Sequence, residues 1–241
     1  MEEKSLDIVL VPLGVLLMVI YHTWLFFTIL HQPKRTVVGL NALSRKRWVS
    51  SMMSDPNKNG VLAVQTIRNS IMASTLLATT AITMSSIIGV FVSSTTDTKT
   101  SALIYGNTSR LAFSIKYFAI LVCFLFAFLC NVQSIRYYVH VSFMVSLPAT
   151  RDESIDYITR SLNRASYFWS IGLRAFYISF PLFLWIFGPI PMFACCCILL
   201  SVLYFLDTTS SITRELHSHH MKHDDDLKMK DSVELSQLTL V

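Results

Sequence analysis

Apolar residues gather in four blocks along the chain, near 6–30, 71–93, 113–132 and 176–206, separated by stretches rich in Lys, Arg, Asn, Asp and Ser. Each block is long enough for the roughly 20 residues that cross a hydrocarbon core as a helix. Three read as single spans. The last is too long for that, because residues 164–207 would run about 66 Å as one helix at 1.5 Å per residue. GPIP at 188–191 supplies a break, since proline withholds a donor and restricts the residue before it. The pattern therefore predicts an all-α polytopic transmembrane helix bundle with spans near 6–30, 71–93, 113–136, 166–187 and 191–207. Residues 1–208 form this helical domain, and residues 209–241 form a disordered acidic, His-bearing tail. The rival reading has four spans, with residues 165–175 lying at the interface and the tail on the other side.

The connecting stretches carry their own signals. DPNKNG at 55–60 reads as a turn cluster, followed by a helix that starts near Val61 and runs through the second span. Thr150 and Glu153 in TRDE form a capping box, opening a helix with Ile155, Ile158, Leu162, Ala165 and Trp169 at helical spacing. Trp48, Val49, Met52 and Met53 share one side of a segment that reads as a helix resting on an anionic leaflet, with Arg45 out of pattern. The run from Phe113 to Leu147 would be about 52 Å long as a helix, so part of it stands outside the lipid. Its apolar extension, YYVHVSFMVSL, needs protein to pack against, and the helix after Thr150 is the candidate.

Composition agrees with a lipid environment. The 241 residues are 53% hydrophobic and 15% charged, against roughly 25% charged in a soluble domain. The net charge of +5 does not point to nucleic acid, because the basic residues flank spans. MEEKS before the first block is acidic, which fits a retained span and not a cleaved signal. Residues 31–70 hold seven Lys and Arg against the single acid Asp55, so this loop is expected in the cytoplasm, with the N-terminus outside or lumenal. The plasma membrane or an endomembrane would suit. The 94–112 loop then faces outward and carries the sequon Asn107-Thr108-Ser109, making Asn107 the expected sugar acceptor on a eukaryotic secretory route. All five cysteines fall in apolar blocks, and no disulfide framework is implied.

Polar residues near the span ends are the candidates for chemistry. VQTIR at 64–68 is nearly repeated as VQSIR at 132–136. Together these place Gln65, Arg68, Gln133 and Arg136, with Arg174 approaching, in an Arg-lined layer suited to an anion or a phosphorylated head group. The plainer reading is interfacial anchoring by snorkelling side chains. His22, Thr79 and Thr83 are candidates for a polar path through the spans, against a reading in which they bond to neighbouring helices and their own backbone. His217, His219, His220 and His223, followed by Asp224, Asp225 and Asp226, have a spacing that can hold a divalent transition ion loosely, against simple solvation. No nucleophile elbow, phosphate-binding glycine loop or paired metal motif is present. The expectation is therefore no enzyme and no cofactor.

YHTWL (21–25), GLNALSRKRWVSSMM (39–53), NGVLAVQTIRNSIMASTLLATTAI (59–82) and FPLFLWIFGPIPMFAC (180–195) resemble the plant-type branch of domain-of-unknown-function family 599. The likeness implies a multi-pass membrane protein and adds no catalytic residues. The expected role is an adaptor or assembly component that binds membrane lipids, a second copy or another membrane protein at its cytoplasmic face. The alternative is a small oligomeric transporter or channel for an ion or organic anion.

Overall fold

The computed structural model describes residues 2–95, 110–147 and 152–209. They form six α-helices: α1 (Glu2–His31), α2 (Val37–Ser54), α3 (Pro56–Thr95), α4 (Arg110–Met144), α5 (Asp152–Leu184) and α6 (Pro189–Asp207), with a short 3₁₀ turn at Pro33–Arg35. Among the described residues the only β pairing is an isolated bridge between Thr36 and Thr208. All helices except α2 are long and apolar enough to cross a membrane. The last apolar block does divide in two. α5 ends at Leu184, residues 185–187 turn, and Gly188 takes φ 156°, a backbone setting that glycine reaches most easily, before Pro189 opens α6. Five helices, one more than the four-span alternative needs, are long and apolar enough to cross, and α5 runs unbroken through residues 165–175.

The helices align α1, α4 and α6 in one direction and α3 and α5 in the other. α4 packs along α3 and α5, while α1 lies mainly against α6. A hydrogen-bond contact of 3.4 Å between Ser74 and Ser134 fixes the register of α3 on α4. The same offset brings Ala81 beside Ala127 and Ile67 beside Val141 in shared apolar clusters. Small residues allow the close approach, as at membrane helix contacts generally. Gly172 of α5 shows the need most clearly, because a Cβ there would sit 2.7 Å from Asn131 Nδ2 and 3.1 Å from Cys130 Cβ.

At the end where α1 and α6 finish, called the basic end for the Lys and Arg residues it collects, the bundle thickens. α2, the first turns of α3, the last turns of α4 and the first turns of α5 close around Val49, Met53, Ile67, Val141, Val145, Ile158, Leu162 and Ala165. The apolar extension of α4 thus packs on α5, as its composition requires. Two expectations change here. The apolar side of α2 is turned into this core and not toward a leaflet, because α3, α4 and α5 offer it a protein surface. DPNKNG does not form a free turn; α3 starts at Pro56, with Asp55 Oδ1 accepting from the Lys58 backbone N–H at 3.2 Å. An acidic cap followed by proline at the first helical position is a helix start, and it carries the helix through Gly60. The Thr150 capping box, Asn107 and the tail histidines lie outside the described residues.

Candidate functional site

Ionisable side chains sort into three places. On the outer surface of the basic end, Gln65, Arg68 and Arg136 are exposed and Gln133 is half-buried. The Ser74–Ser134 register sets Arg68 level with His140 and Arg136 level with Met72, so the two arginines are about 6 Å apart along the bundle at 1.5 Å per residue. The near-repeat therefore places its two arginines one helical turn out of step.

Arg174 is not part of that surface. Its guanidinium donates two hydrogen bonds to Asp207, Nη1 to Oδ2 at 2.9 Å and Nη2 to Oδ1 at 2.7 Å, and Tyr21 Oη donates to Oδ2 at 2.7 Å. The pair is largely buried, with 16% and 10% of the side chains exposed. Bidentate geometry and a third donor satisfy the carboxylate where an isolated charge would be costly. This cluster ties α5, α6 and α1 together. Asp207 was not singled out by sequence, because an even hairpin folded about residues 185–188 sets Arg174 level with Leu199. Helical side chains lean toward their own N-terminus, and this brings the long Arg174 side chain toward the basic end, where Asp207 waits.

At the opposite end Lys116 is only 1% exposed. Its ammonium lies 5.4 Å from the centre of the Trp185 ring, and Trp185 Nε1 donates to Asp7 Oδ1 at 3.3 Å. An ammonium within about 6 Å of an indole face gains from the ring quadrupole. Nothing in the local sequence announces that Asp7 of α1 and Trp185 of the α5–α6 turn lie near Lys116.

The candidates for a polar path occupy separate surroundings. Thr79 Oγ1 donates to the Thr75 carbonyl at 2.5 Å and Thr83 Oγ1 to the Thr79 carbonyl at 2.8 Å, both on exposed parts of α3. Thr75, Thr80, Ser85 and Ser86 likewise bond four residues back. His22 is on α1, with Nδ1 donating to the Met18 carbonyl at 2.8 Å, and it borders an apolar cavity of about 170 Å³ shared with α5 and α6. Thr79, Thr83 and Arg136 do not line the cavity that His22 borders.

Arg45 has a structural partner that explains its departure from the α2 pattern. It donates to Asn163 Oδ1 at 3.1 Å and Ser166 Oγ at 2.5 Å, crossing from α2 to α5. Burial lowers its pKa from the ordinary value, with Tyr138 and Tyr167 opposing the shift. Lys46, next to it, pairs with Asp156 at 2.9 Å. Among the described residues no three of His, Cys, Asp and Glu come together to hold a metal ion.

Five long apolar helices with a helical cap at one end define a polytopic, all-α integral membrane protein. Within that class, residues 9–212 match the model of the family described as protein of unknown function, DUF599, and the chain belongs to that family. No curated protein and no solved structure matches it.

Proposed function

We propose that the protein is a non-enzymatic membrane adaptor whose basic end faces the cytoplasm and engages the anionic leaflet and protein partners. One observation carries the reading: the basic end is a packed helical core with a cationic outer surface. Val49 and Met53 of α2, Ile67 of α3, Val141 of α4 and Ile158 of α5 pack four helices together there. Lys34, Arg35, Lys46, Lys58, Arg68, Arg136, Arg160 and Arg164 are exposed on it, against the exposed acids Asp55, Glu153 and Asp156. That excess favours a negatively charged lipid surface. The separate surroundings of His22, Thr79, Thr83 and Arg136 count against a shared conduction path.

Flotation of nanodisc-held protein with phosphatidylserine vesicles tests the lipid arm. Binding falls with added salt and falls at least threefold in the Arg68→Gln/Arg136→Gln variant. Proteoliposomes offered a panel of ions and organic anions show flux equal to that of empty vesicles. Undiminished flotation of the variant, or flux above the empty-vesicle level, overturns the proposal.

A further inference from the structure

We infer that a cleft of about 520 Å³ between the end of α1, the 3₁₀ turn and the end of α6 is a binding site for a phosphate-bearing amphiphile, an anionic membrane phospholipid. Its volume lies within the roughly 300–1,000 Å³ typical of small-molecule sites. Water occupies about 30 Å³ per molecule in the liquid, so a phosphate ion alone would leave most of this space unfilled.

The walls differ in chemistry. Trp24 and Tyr204 stand on α1 and α6 with ring centres 5.9 Å apart, and Phe27 comes one turn further along α1. Aromatic rings at the end of apolar helices sit at head-group depth. The remaining lining includes His31, Arg35 and Thr208. His31 Nδ1 donates to the Phe27 carbonyl at 3.1 Å, which leaves Nε2 as an acceptor for a head-group hydroxyl. Arg35 is exposed, and its guanidinium has no hydrogen bond or ion pair to another described residue. Guanidinium matches phosphate in a two-pronged contact.

Two further features make this a site and not merely a gap. The closest acid along α6, Asp207, has both oxygens engaged by Arg174 and one also by Tyr21, so it does not neutralise Arg35. The polar wall is also fixed before any ligand arrives. Besides the Thr36–Thr208 bridge, the Thr209 backbone N–H donates to the Arg35 carbonyl at 3.2 Å and Thr209 Oγ1 donates to the Lys34 carbonyl at 3.1 Å. A wall already held in place reduces the ordering cost of binding. The site deepens the lipid arm of the proposed role but stands on residues other than Arg68 and Arg136.

The test titrates full-length protein in detergent with dihexanoyl phosphatidylglycerol, dihexanoyl phosphatidylcholine and inorganic phosphate, monitored by calorimetry. Phosphatidylglycerol is expected to bind saturably, at least tenfold more weakly in Arg35→Gln, at least threefold more weakly in Tyr204→Ala, and unchanged in Arg68→Gln. Arg35→Lys keeps the charge and falls between wild type and Arg35→Gln. Phosphatidylglycerol affinity unchanged in an Arg35→Gln protein of wild-type melting temperature overturns the inference. Phosphate binding as tightly as the lipid makes this a site for the free ion, and equal binding of phosphatidylcholine shows that head-group charge is not read; either result overturns it. Loss of vesicle flotation with short-chain lipid binding intact refutes the proposed role alone.

Discussion

The Arg174–Asp207–Tyr21 cluster shows what one misplaced charge would cost. Breaking a buried ion pair by removing one partner leaves the other uncompensated, at about 3–5 kcal/mol, whereas replacing both with apolar residues can be close to neutral. Asp207→Asn is therefore expected to lower the melting temperature of the detergent-solubilised protein more than the double replacement Arg174→Met/Asp207→Leu. Tyr21→Phe, which removes one hydrogen bond to a charged group, should cost about 1.5–3 kcal/mol. A double variant less stable than Asp207→Asn would show that the pair stabilises the bundle on balance. At this scale the sequence was only partly readable. Thr75, Thr79, Thr80 and Thr83 of α3 bond to their own helix, a local tendency visible without a structure. Asp207 and Lys116 depend on which distant helix covers them, and spacing along the chain contains no such information.

Among the elements, contact between helices sets how much a methyl group matters. Gly172→Ala pushes a Cβ against Asn131 and Cys130 across the α4–α5 contact, and overpacking of this kind costs about 1–3 kcal/mol. Gly60→Ala in α3 meets nothing within 4 Å and removes backbone freedom, so it should stabilise by up to about 1 kcal/mol. Thermal melts of the two variants should move in opposite directions. A destabilised Gly60→Ala protein would contradict the continuous helix that begins at Pro56. Helix existence came directly from apolar length, and the GPIP break from proline chemistry. The start of α3 was misread because Asp-Pro-Asn serves equally as turn and as helix opening, and the apolar residues from Val61 onward make the choice by continuing the helix.

For the whole molecule, five crossings would put the two ends of the helical domain on opposite sides of the membrane. In sealed vesicles with the cytoplasmic face outward, a tag fused after Val241 should be cleaved by added protease without detergent, while one fused before Met1 should be cleaved only after detergent is added. Both tags on the same side would remove one of the five spans. Charge asymmetry predicts which face is inside, because the basic residues lie near the ends of α1, α3, α4 and α5. The cap that these helices form could be anticipated from the apolar excess of the α4 extension. Its use of α2 as a buried wall could not, because an apolar side of this size suits a leaflet as well as a protein surface. The pairing of α1 with α6 has a consequence for assembly as well. At synthesis rates of about 5–20 residues per second, the 157 residues between His31 and Pro189 take roughly 8–30 s to emerge. Until then the first helix lacks its main partner, and the face that α6 later covers meets lipid or the insertion machinery.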